Sequence, residues 1–361
     1  MKTQITTVEK LYNELERERA SRQDLIADTR SLNVNTKNGV STLLVLKDGD
    51  TLSYPISELA HRQIADRLKI PFAYYDRMRM EAPELLDTNI NNWLYHNAEQ
   101  RMLRTLDGKL RAFLSARYHR LDHLELMNAI MPTLQEMKGA TIESMGITET
   151  HLYIKVINKT MRSEVVPGDV VQSGFVISNS EVGKGAINVS PLIYRLVCKN
   201  GMIINELGNK KYHIGRSVED ADSAYELYSD ETMALDDAAY FSKAADAVRA
   251  AADMTKFELI VDRLRQATEI DTGANPIKTV EVLADRYVLN AQEKASVLMH
   301  FLRSGDSSLY GLTNAVTRAG QDVADYGRAT ELEKIGGTLL NEGIATGKQS
   351  KKALTRELLA A

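Results

Sequence analysis

Apolar residues fall at helical spacing in some stretches of this chain and at alternate positions in others, and the switches mark its elements. From Thr7 to Arg22, Leu11, Tyr12 and Leu15 stand among many charges, which predicts an exposed amphipathic helix. The following run, DLIADTRSLNVNTKNGVSTLLVLKDGDTLSYPIS, reads as strands broken at Asn38-Gly39 and Asp48-Gly49, dipeptides suited to tight turns. In ELAHRQIADRLKI, Leu59, Ile64 and Leu68 face one way, Ser57 is placed to cap the helix and Pro71 to stop it. Two more helices are predicted, one through Tyr75 and Met78 and one from Pro83 to about His96.

Between Met102 and Tyr118 the period becomes two. Leu110, Ala112, Leu114, Ala116 and Tyr118 alternate with Arg111, Phe113, Ser115, Arg117 and His119, predicting a strand with one buried face and one basic, aromatic-bearing face. A helix over Leu124–Glu136 follows. Strands are then predicted over His151–Asn158, Asp169–Ser178 and Ala186–Cys198, with the glycine-rich turn Glu181–Gly185 closing a surface hairpin. Val218 to Asp237 holds eight acidic residues and no Lys or Arg, and beyond it the pattern is helical. The expected class is α+β: an antiparallel sheet core with packed helices, then an all-helical C-terminal portion. The expected divisions are an N-terminal helix and hairpin region over 1–50, a core domain over 51–217 and a helical region over 218–361.

Composition narrows the partners. With 43% hydrophobic and 26% charged residues, the 361-residue chain has an ordinary globular balance. A net charge of −4 excludes a uniformly basic coat but leaves room for a local basic face. The lone Cys198 cannot form an intrachain disulfide and fits a reducing cytosol. No apolar run approaches the ~20 residues of a membrane helix, and the polar N-terminus has no signal-like core. A cytoplasmic protein is expected.

The stretch Ser173–Ile204 contains a Gly-Lys pair, yet it is not a phosphate loop. Lys184 is followed by Gly185 where a metal-binding Ser or Thr is needed, Ser178 stands where the first glycine belongs, and a β-branched run follows instead of a helix. No Rossmann glycine pattern is present, and no cofactor is expected. His119 and His123 are four apart without organised acidic ligands, and Asp28, Asp48 and Asp50 suit turns better than a nuclease centre. Val197 and Cys198 read as core.

Positive charge collects in two places. Arg101, Arg104, Lys109, Arg111, Arg117 and Arg120 form one group, with Phe113 sharing a strand face with Arg111 and Arg117. Arg195, Lys199, Lys210, Lys211 and Arg216 form the other, with Tyr212 and His213 interleaved. Cations neutralise phosphates and rings stack on bases, so together they suit single-stranded nucleic acid. The plainer reading is solvated strand and loop faces. The acidic run after Arg216 reads as a solvated linker, or as a segment that folds over the basic face and competes with the ligand.

Three motifs carry a family resemblance: Arg111, Ala112, Ser115, Arg117 and Tyr118; Asn179, Ser180 and Gly183; and Arg195, Val197, Cys198, Asn200 and Gly201. Through them the chain resembles a phage/plasmid-like family, domain of unknown function 932, over about residues 50 to 220 and more loosely beyond. The resemblance implies a protein of phages, plasmids and integrated elements, whose strand-rich core is weakly similar to single-strand-annealing recombinases. The leading expectation is a non-catalytic, ATP-independent protein that binds single-stranded DNA, with annealing as its specific activity, working as a homo-oligomer. Arg111, Arg117 and Arg195 are the expected phosphate contacts. The alternative is an interaction protein of the mobile element that binds a host factor and no nucleic acid. A nuclease has only scattered carboxylates behind it.

Overall fold

The computed structural model describes residues 3–116, 118, 120–204, 213–214, 230–251, 253–273 and 275–360. Strand β1 (Thr3–Ile5) leads into α1 (Val8–Ser21), which starts where the Thr7 side chain accepts from the Lys10 amide and is seated by Leu11 and Leu15. After β2 (Gln23–Asp28) comes a meander of β3 (Leu32–Lys37), β4 (Val40–Lys47) and β5 (Asp50–Pro55). Its two turns are the predicted ones. Asn38 and Asp48 adopt φ of 52° and 53°, and Gly39 and Gly49 follow at 77° and 91°. Two successive positive φ values give the turn whose twist matches the strands.

Helices α2 (Glu58–Arg67), α3 (Phe72–Glu81) and α4 (Pro83–His96) fall where the spacing places them, and Ser57 caps α2 through the Ala60 amide. Strands β6 (Gln100–Leu106) and β7 (Lys109–Ser115) then pair beside β2 in a second three-stranded sheet, ordered β2-β6-β7. Val34 and Leu43 of the meander, Tyr75 and Ile90 of the helices, and Leu103 and Phe113 of this sheet share one core. The expected division after residue 50 falls at the first residue of β5, whose partner β4 lies before it.

The main sheet is antiparallel and has seven strands among the described residues. Its order is β1, then β8 (Ala140–Ile147), β9 (Leu152–Glu164), β10 (Val170–Asn179), β11 (Ile187–Arg195) and β12 (Asn200–Ile203), with β13 (His213–Ile214) also on β11. Alternation sorts its two faces. Leu152, Ile154 and Val156 of β9 pack with α1, α5 (His123–Glu136) and α6 (Asp230–Ala251), while Tyr153 and Ile157 join Tyr326 on the other side. The rest of the chain is helical: α7 (Met254–Thr268), α8 (Pro276–Arg286), α9 (Ala291–Ser304), α10 (Leu309–Asp322) and α11 (Tyr326–Ala360). Helix α11 crosses β12 at Gly337, where a Cβ would lie 1.9 Å from the Ile203 carbonyl oxygen, so only glycine permits this approach. The class is therefore antiparallel sheets with helices, followed by an all-helical region. Among the described residues no helix is long and apolar enough to cross a membrane.

Two local expectations change. Strand β7 has no solvated basic face: Phe113 lies in the first core and is 1% exposed, while Ala112 and Leu114 pack with Leu59, Met102 and Val182. Strand β11 ends at Arg195, before Val197 and Cys198, so the chain turns there. Val197 is 61% exposed and Cys198 half-buried, and neither belongs to the core.

Candidate functional site

The turn between β10 and β11 is inserted between the main sheet and the β2-β6-β7 sheet, and most of its polar groups have assigned partners. Asn179 Nδ2 donates to the Leu121 carbonyl at 2.8 Å and meets His123 Nδ1 at 3.0 Å. The Ser180 carbonyl accepts from the Tyr118 hydroxyl at 3.0 Å. Val182 is fully buried, and its carbonyl accepts from Gln63 Nε2 at 2.8 Å. The amides of Val182 and Lys184 donate to Ser180 Oγ, and that of Gly183 to Tyr118 Oη. These are the amides a phosphate loop would present to its ligand, so the turn cannot cradle one as it stands. Gly183, at φ 75°, sits against Leu114, where a Cβ would approach to 2.7 Å. The expected hairpin is present, but it is an anchored plug, not a surface turn.

Glu181 is the centre of this plug. Its carboxylate accepts from the His123 amide at 2.7 Å and from Arg111 Nη1 at 2.9 Å, with Arg22 at 3.5 Å. Burial opposes its charge, but His123, the Arg111 guanidinium, the His123 amide and Arg104 outweigh that and hold the carboxyl at about 2. Arg104, 1% exposed, bonds Asp24 at 2.9 Å, Asp122 at 2.7 Å and the Glu181 carbonyl at 2.8 Å. Burial works against its charge, yet Asp122 and Asp24 raise its pKa above the ordinary value. His123, fully buried, is held down to about 4 chiefly by desolvation and is neutral at pH 7.

These placements correct the reading of the basic clusters. Arg104 and Arg111 are interior groups of the plug, matched by acids that sequence spacing does not bring together, and Phe113 is a core side chain. Arg195 is likewise committed. It pairs with Asp169 at 2.6 Å, and Asp169 also accepts from the Tyr310 hydroxyl at 2.8 Å. Asn200 Nδ2 bonds Thr317 Oγ1 at 2.6 Å. The family's third motif thus ties the sheet to α10, as the first two tie it to the N-terminal sheets. Lys109, Arg120 and Lys199 are exposed at three separate turns, Arg120 lying 3.8 Å from Asp24. Arg117, Lys210, Lys211, Arg216 and the acidic residues from Glu219 to Glu226 lie outside the described residues.

A different set of cations comes together. Lys184 projects from the plug into solvent. Beside it, the His151 ring lies 3.3 Å from the position a Cβ on Gly185 would take and stacks on Tyr153 at 5.4 Å between centroids. Lys334 Nζ of α11 lies 5.8 Å from the same Tyr153 ring. Burial and the nearby Lys334 and Lys184 push the His151 pKa down. Neither lysine has an ion-pair partner among the described residues. Lys155 behind them is neutralised by Glu333 at 2.6 Å. Sequence reasoning weighed Lys184 only as part of a nucleotide loop and had no signal for His151 or Lys334, which lie on other elements.

The chain belongs to the family described as domain of unknown function DUF932, whose model matches residues 112–340. The match starts within β7, later than the expected residue 50, and ends in α11, taking in the helical portion where a looser resemblance was expected; it spans the plug, the main sheet and most of the helical region. No curated protein and no solved structure matches the chain.

Proposed function

We propose that the chain is a non-catalytic protein of a phage or mobile element that binds single-stranded nucleic acid. Strand annealing is its specific activity, and a homo-oligomer is its working form. The observation that carries this reading is the convergence of Lys184, His151 and Lys334 on the rim of a plug built from the family's own motif. Two lysines without ion-pair partners among the described residues flank an imidazole whose pKa burial lowers, an arrangement suited to phosphate oxygens. The plug fixes the backbone from which Lys184 projects, since the Lys184 amide is held by Ser180 Oγ at 3.1 Å.

The test is fluorescence anisotropy of a labelled oligothymidylate across a salt series, with Lys184→Glu/Lys334→Glu as the variant. Binding weakens in the variant, and the slope of log affinity against log salt falls by about 1.4, the loss of two phosphate contacts to a single strand. Wild-type protein that leaves the oligonucleotide free at low salt overturns the reading. Mass photometry with and without the oligonucleotide reads the assembly.

A second reading has one observation in its favour: Ile277, Val282, Val288 and Leu302 of the α8–α9 region are well exposed. Such side chains suit a host protein, and a partner retained after nuclease treatment supports that reading.

A further inference from the structure

The C-terminal ends of α2 and α4 lie side by side and enclose an open recess of about 460 Å³. Its wall is Trp93, the chain's single tryptophan, which is 47% exposed. Leu68 and Leu94 supply further apolar lining, and Asn97 offers an amide that can both donate and accept. Arg67 borders the recess but is spent on a two-pronged contact with Glu99. Lys69, lifted out of the end of α2 by a φ of 56°, is exposed and has no ion-pair partner among the described residues. The recess thus combines one flat aromatic face, one bifunctional hydrogen-bonding group and one uncompensated cation.

We infer that this recess is a nucleobase subsite, with the base stacked on Trp93, its edge read by Asn97, and the adjoining phosphate held at the rim by Lys69. This rests on the single-strand reading above and extends it to a second point on the surface. Two helix C-termini border the recess, and their partial negative charge favours an uncharged ring inside over a phosphate. The subsite is also in line with the plug. Gln63, which holds the Val182 carbonyl, and Arg67, on the recess wall, are four residues apart and share one face of α2. The helix advances about 6 Å between them. Helix α2 therefore connects the plug to the recess.

Because Trp93 is the only indole, its fluorescence reports this subsite alone. Titration of the full-length protein with oligothymidylate quenches it, and an abasic oligonucleotide of equal length does not, although it still binds. In anisotropy, Trp93→Ala weakens oligothymidylate binding about tenfold, in line with the loss of one stacked base, and Trp93→Phe restores part of the loss. Binding with unchanged Trp93 emission and an unaffected Trp93→Ala variant overturns the subsite and leaves the single-strand reading standing. Equal quenching by abasic and base-bearing oligonucleotides also overturns it, as does quenching by an aromatic peptide with none by oligothymidylate. Absence of any anisotropy change for wild type removes both.

Discussion

Arg104 grips Glu181 by its main chain, its Nη1 donating to the Glu181 carbonyl at 2.8 Å, and its charge also favours the Glu181 carboxylate, while its other nitrogens hold Asp24 and Asp122. The guanidinium therefore fixes the backbone path of the plug and neutralises two acids in one contact set. Removing it takes the buried partner from both acids, leaving Asp122 with Arg22 at 2.6 Å and Asp24 with Arg120 at 3.8 Å. Arg104→Ala is expected to cost about 3–5 kcal/mol of folding stability, read as a lower urea midpoint. A loss below about 1 kcal/mol would show the network to be ornamental.

Arg111 and the lysine pair should separate cleanly. Arg111→Met breaks the 2.9 Å contact with Glu181 and lowers the melting temperature. The salt slope of oligonucleotide binding by the folded protein stays as in wild type. Lys184→Glu/Lys334→Glu does the reverse. A reduced slope in Arg111→Met would return that residue to the interface.

Acid should destabilise the protein in two stages. His61 and His123 are both held at about 4, below the ordinary 6.5, chiefly by burial. The unfolded chain therefore takes up protons first, so the stability is full above pH 6.5 and is lost as pH falls toward 4, by about 3 kcal/mol for each group. Glu181, held at about 2 against an ordinary 4.5, adds a further loss from about pH 4.5 down to 2. Denaturant midpoints taken from pH 7 to 4 read the first stage. His123→Gln should make that decline shallower, whatever its stability at pH 7. A flat profile in wild type contradicts the assignment.

Gly337→Ala places a methyl against the Ile203 carbonyl, 1.9 Å from its oxygen. Backbone cannot yield as a flexible side chain would, so α11 must lift from β12, at a cost of about 3 kcal/mol or more. Hydrogen exchange should show β12 amides losing protection first. Gly108→Ala, with open space around its Cβ but φ 72°, should cost only about 1 kcal/mol.

Local signals were legible in the sequence and long-range charge pairing was not. The Asn-Gly and Asp-Gly turns, the Ser57 cap and the end of α2 before Pro71 depend on neighbours a few residues away, and each lies where the spacing puts it. Arg104 meets acids 80 and 18 residues away and a carbonyl 77 away. Nothing in a period-two strand distinguishes such an arginine from a solvated one. The same limit applies to Phe113, whose alternation is correct but whose outer face is covered by another layer. Trp93 stands two residues from Tyr95 in α4, where nothing in the spacing marks it out, and its exposure follows only from how α2 and α4 end.

The position of Glu181 also sets a timetable for synthesis. Arg22, Arg104 and Arg111 leave the ribosome long before their shared partner, and β1 waits similarly for β8, its strand neighbour among the described residues. The early portion of the nascent chain thus carries charges bound for an interior that does not yet exist, and it stays open to proteases until the β10–β11 turn emerges. Chains stalled before and after residue 181 should give different digestion ladders, with the first hundred residues turning resistant only in the longer one.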